Sequence, residues 1–283
     1  DRFFDSGYLV RMIHTDQTRT RATPYRWQDD TPRVWYLAGF SPYFAAIGVQ
    51  SVLYPWILTQ VLHESAARVG IAQMLTTLPM LLLVMFGGAL ADRRELRGHL
   101  VRLQCLMGLM PLVLAALLLG ARLSYPAIVA VSMMLGALGA FIVPARDAML
   151  SAVGEGRIQQ TITAVTGIQF SSQVGGLALG GGASLLALWI GGARNSPAGA
   201  APLLVLQGAL VFAAAWIATR LPEVPSAVAQ PSRNALASML DGIAEVWRSN
   251  VIRPVVIMMF ATGILYTGVF LVQMPILVRD VYH

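Results

Sequence analysis

The sequence contains no lysine, and a single cysteine, Cys105, is too few for an internal disulfide. Charge of either sign is scarce: Asp, Glu, Lys and Arg make up 12% of the chain, against about 25% in an ordinary soluble domain. No Asp, Glu, Lys, Arg or His falls at the middle of any long apolar run, so an intramembrane proton relay of the usual acidic or histidine type is missing from these runs. The four histidines, His14, His63, His99 and His283, are scattered and show no metal-ligand spacing, and there is no nucleophile elbow. These absences argue against an enzyme, a metal site and a cofactor. The apolar runs do not alternate, which excludes a membrane β-barrel.

Apolar surface is what the sequence has in abundance. Hydrophobic residues are 56% of the chain and the mean hydropathy is +0.64, more than one soluble fold can hide. A charge at the bilayer centre costs roughly 2.5–3.5 kcal/mol, so charge-free runs mark candidate spans. They cover residues 34–62, 69–91, 103–121, 123–145, 158–193, 195–219 and 254–278, each long enough for the roughly 20 helical residues that cross a bilayer. Trimmed of loops, they predict helices near 35–61, 69–91, 101–120, 124–144, 162–190, 201–219 and 253–278. The expected fold is an all-α polytopic membrane protein.

Arginine sets the orientation. With the amino terminus in the cytoplasm, sixteen of the twenty arginines lie on the cytoplasmic side, and only Arg68, Arg122, Arg194 and Arg279 on the other. The net charge of +6 then reflects topology and contact with the lipid bilayer, with no need of a nucleic-acid partner. Residues 1–33 are polar, lack the apolar core of a signal peptide and read as a cytoplasmic arm. Because the chain does not start with Met, it is expected to be a fragment or to have its native start elsewhere, for example at Met12.

Three segments follow the arm: a six-helix bundle over 34–219, a cytoplasmic linker over 220–252, and residues 253–283, which hold a seventh helix expected to begin a truncated second bundle. In the linker, Pro222, Pro225 and Pro231 mark a flexible stretch. Leu236, Met239, Leu240, Ile243 and Trp247 then recur at helical spacing and predict an amphipathic surface helix, either a cover for the bundle or a lipid sensor.

The turn after the second span holds Gly88, Leu90, Ala91, Asp92, Arg93, Glu95 and Arg97 where an apolar run meets a basic cluster. Gly88 allows close helix approach, Asp92 is suited to capping and to pairing with arginine, and Arg93 and Arg97 are suited to bridging acidic groups or helix carboxyl ends. Two readings stay open: a conformational latch, or charges that only fix topology. This turn resembles the Gly-x-Leu-Ala-Asp-Arg-x-Gly-Arg-Arg signature of major facilitator superfamily transporters, with Glu95 in place of Gly and Leu96 in place of Arg. The acidic Glu95 is nearer to the variant of the enterobactin-exporter-like and macrolide-efflux-like branch.

Pro144, Ala145 and Arg146, followed by Asp147, resemble a Pro-Ala-Arg segment of the same branch. Arg146 is the expected partner of Asp92 or Glu95, with Asp147 joining them or both residues simply facing water. Gly176, Gly180 and Gly181 resemble an exporter glycine motif whose proline is here Leu177, and they predict tight helix packing. The resemblance implies that the seven helices are part of an expected twelve, that two halves rock about a central site, and that the protein is a secondary active exporter in the bacterial inner membrane. It also implies an amphipathic small-molecule substrate, a siderophore or drug, and a coupling proton. Polar and aromatic residues inside spans, Tyr43, Gln50, Tyr54, Gln169, Gln173, Tyr266 and Gln273, are candidates either to line a cavity or to pack. The rival classes are a non-transporting scaffold or receptor and an inactive transporter fragment.

Overall fold

A computed structural model describes residues 31–91, 95–154, 156–189, 199–224, 247–249 and 252–266. The chain divides into two compact units, Asp1–Ser226 and Ala227–His283. In the first unit the helices are α1 Thr31–Trp56, α2 Ala66–Ala91, α3 Leu96–Leu119, α4 Tyr125–Val153, α5 Ile158–Gly181, the short α6 Ala183–Trp189 and α7 Ala200–Ala218. The second unit contributes α8, Ile252–Tyr266, with the Arg253 guanidinium 5.0 Å from the Trp247 ring. Of the amphipathic helix expected over 236–247, all but Trp247 lies outside the described residues, as does the end of the seventh span.

Five helical stretches among the described residues are long and apolar enough to cross a membrane: Thr31–Val61, Ala66–Val84, Leu96–Leu119, Tyr125–Val153 and Ala200–Ala218. The fifth expected span differs in two ways. It breaks at Gly182, after the Gly180 and Gly181 pair, so one run becomes α5 and α6. In addition, α5 carries nine Gln, Ser and Thr residues. Several of their hydroxyls are satisfied within the helix: Thr161, Thr163, Thr166 and Ser171 each donate to the carbonyl four residues back, at 2.7–3.1 Å. Part of a polar sequence is thereby accommodated by the helix's own carbonyls.

Without water to drive apolar faces together, membrane helices associate where small residues let backbones meet. Three such crossings build the bundle. In the α1–α5 crossing, a Cβ on Gly176 would collide with the Ala45 carbonyl oxygen, and one on Gly180 would come within 2.8 Å of that of Val49. Between α2 and α4, a Cβ on Gly87 would strike the Ala140 carbonyl, the oxygen that Pro144 leaves without its helical donor. Between α3 and α7, a Cβ on Gly208 would lie 3.0 Å from the Gly108 carbonyl. The helices follow the spatial path α5, α1, α7, α3, α4, α2, so that α1 packs between α5 and α7.

Three expectations about this frame need correction. The fourth span was expected to end at 144, yet α4 continues to Val153, so Arg146 and Asp147 are helical. A Cβ on Gly88 would meet no described atom within 4 Å and Gly87 makes the close approach instead; likewise a Cβ on Gly181 would meet none, while those on Gly176 and Gly180 would.

At its far end α1 passes into a π turn, Ile57–Val61, closed by Leu62 N–H donating to the Ile57 carbonyl at 3.0 Å. Pro55 and the Thr59 hydroxyl, which donates to the Pro55 carbonyl at 2.9 Å, disturb the α-helical ladder there.

Candidate functional site

The first part of the site lies where the start of α1 meets the end of α4. Tyr36, Phe40 and Phe44 recur every four residues and Tyr43 fits between, so that four rings share one face of α1. Neighbouring rings are 5.0 Å apart for Tyr36 and Phe40 and 5.5 Å for Phe40 and Phe44. Across from them, the Arg146 guanidinium lies 4.6, 4.8 and 4.9 Å from the ring centres of Phe40, Tyr43 and Phe44. The Tyr36 hydroxyl donates to the Arg146 carbonyl at 2.9 Å, and Arg146 Nε and Nη1 are buried with no hydrogen-bond partner among the described residues. Ring quadrupoles thus hold a large share of this cation, each such contact being worth about 0.5–2 kcal/mol. A small cavity beside Arg146 is lined by Trp35, Tyr43, Leu100, Gln104 and Leu221 among others.

The turn after α2 is the second part. Leu90 belongs to the last turn of α2, while Asp92 and Arg93 lie outside the described residues. Glu95 is not paired with Arg146. Its carboxylate caps α3 instead, accepting from Arg97 N–H at 2.8 Å and Gly98 N–H at 2.6 Å. The physical reason is local, because the first amides of α3 have no helical acceptors and Glu95 is the adjacent residue. Arg97 forms an ion pair with Glu223, just after α7, and also donates to the Leu221 carbonyl at 3.4 Å. Asp147 is exposed on α4.

A polar cleft forms the third part, about 16 Å further along α1 at 1.5 Å per helical residue. It encloses about 170 Å³ between α1, α2 and α4, and Gln50, Ser51, Tyr54, Gln73, Thr76 and Ser132 supply its hydrogen-bonding groups. Gln50 Oε1 accepts from Gln207 Nε2 on α7 at 3.2 Å, and the Tyr54 hydroxyl and Gln207 Oε1 are buried with no hydrogen-bond partner among the described residues. Among the described residues no Asp, Glu, Lys, Arg or His lines the cleft.

The structure therefore separates the sequence-predicted cavity residues. Tyr43 stands in the Arg146 cluster, and Gln50 and Tyr54 line the cleft. Gln169 and Gln173 line neither; the Gln173 carbonyl is packed against Gly48 of α1. Nothing is described of the Tyr266 side chain, and Gln273 is outside the described residues. Gln104, Ser132 and Gln207 were not singled out from the sequence, yet they are 4%, 3% and 2% exposed. Their signal was available: each is a lone polar residue inside a long apolar run.

Bundled apolar helices with uncharged polar groups turned inward define a multi-pass membrane protein. Residues 36–283 match the Major Facilitator Superfamily, and the chain belongs to that family of membrane transporters. No curated protein and no solved structure matches the chain significantly.

Proposed function

We propose that the protein exports an amphipathic small molecule by alternating access, with a proton as the coupling ion and the amino terminus in the cytoplasm. The observation that carries the substrate class is the cleft, whose uncharged amides and hydroxyls on α1, α2 and α4 stand among apolar side chains. Such a lining suits a molecule with scattered hydrogen-bonding groups on an apolar frame, and suits a small ion poorly, since an ion leaving water needs a compensating charge. The branch resemblance carried by Glu95 and by Pro144, Ala145 and Arg146 adds siderophores and macrolides as the compounds to try first.

Export from a host lacking its own efflux pumps tests this reading. One substrate hydrogen bond is worth about 0.5–1.5 kcal/mol, so Gln50→Leu and Tyr54→Phe in the full-length protein should each weaken export about two- to tenfold at normal expression. Unchanged export by both variants overturns the assignment of the cleft. A protonophore should abolish export; persistence without the proton gradient overturns the coupling. Asp92→Asn should insert normally and depress export if the turn is a switch, and wild-type efflux refutes that role.

A further inference from the structure

The start of α3 is tied to a segment that follows it by more than 120 residues. Of its first amides, Arg97 and Gly98 N–H are taken by the Glu95 carboxylate and His99 N–H donates to the Glu95 carbonyl at 3.1 Å. Leu96 N–H, in contrast, donates to the Val224 carbonyl at 3.3 Å. Arg97 adds its bond to the Leu221 carbonyl and its ion pair with Glu223. Residues 221–224 thus cross the head of α3 through two backbone acceptors and one carboxylate. The same segment reaches inward, where Leu221, only 4% exposed, lines the small cavity beside Arg146.

We propose that Glu223 is a positioning residue: through Arg97 it holds residues 221–224 as a strap over the head of α3, and through Leu221 the strap keeps the Arg146 cavity covered. Arg97, a residue of the turn motif, is then engaged within its own bundle, and releasing it frees the strap and uncovers Arg146. The pair is not a rigid lock. Side-chain exposures of 31% for Arg97 and 67% for Glu223 place it among ion pairs of small net value, so its loss shifts the strap equilibrium by a few-fold and leaves the bundle folded.

Site-resolved amide exchange in the full-length protein reads the strap directly. Glu223→Gln should speed exchange at Leu96 about two- to fivefold. Gly98, whose N–H is held by Glu95, should exchange as in the wild type. Arg97→Gln should act at least as strongly, and the double variant no more strongly than Arg97→Gln alone, since both remove one interaction. In a Cys105→Ser background, thiol reagents should reach Leu100→Cys two to five times faster once Glu223→Gln is added. Leu96 exchange unchanged in Glu223→Gln, or single effects that multiply in the double variant, overturns the strap; unchanged reactivity at position 100 overturns its covering role. The exchange arm needs no cavity cysteine and stands even where Leu100→Cys folds poorly.

Discussion

Arg146 shows how much a single residue's identity conveys and where it stops. A buried guanidinium calls for compensation, and a carboxylate of the α2–α3 turn is the partner the sequence suggests. Glu95 caps α3 and is not that partner, Asp92 lies outside the described residues, and among the described residues Arg146 stands against the rings of Phe40, Tyr43 and Phe44. A planar cation spreads over several rings in a way that a point charge on a flexible stem does not. Arg146→Lys should therefore lower stability by about 1–2 kcal/mol, and Phe40→Leu by a similar amount, read as thermal unfolding of the purified protein. A lysine variant as stable as the wild type sinks the cage. The recurrence of rings at 36, 40 and 44 is legible in the sequence. That this face of α1 meets the end of α4 is not, because it depends on the order in which helices line up in space. Glu95 is a parallel case, since the need of adjacent amides outranks a distant arginine.

For the elements, position and apolarity were legible for α1 to α4 and α7, whose charge-free runs contain no competing signal, although α4 continues past its run through Arg146 and Asp147 to Val153. The fifth run differs because charge was the criterion: a helix rich in Gln, Ser and Thr carries no charge and yet is less apolar than the other five. The same element gives a test of opposite signs. Gly176→Ala drives a methyl into the Ala45 carbonyl and should destabilise by about 1–3 kcal/mol. Gly181→Ala, with open space around it, should be neutral or stabilising by up to about 1 kcal/mol through helix propensity. Matching unfolding temperatures for the two variants would remove α1–α5 contact as the reason for the glycines. The spacing of Gly176 and Gly180 announced a small-residue face, but its partner Gly48 had no sequence mark distinguishing it from the other glycines.

At the scale of the whole molecule, arginine distribution makes a topological prediction. In the Cys105→Ser background, Ser65→Cys and Arg122→Cys should react with an impermeant thiol reagent in intact cells, and Ser226→Cys only after lysis. The reverse pattern would invert the bundle in the membrane. Its interior order carries a further consequence, one of time. The Gln50 and Gln207 amides that meet inside the bundle are 157 residues apart in the chain. At about 5–20 residues per second, α1 waits roughly 8–30 s after synthesis before α7 exists. Through that interval the α1 face that carries Gln50 must rest against lipid, the translocation machinery or a chaperone. A helix made before the others described in the bundle is thus among the last of them to be completed, and the bundle's assembly hinges on sheltering it until then.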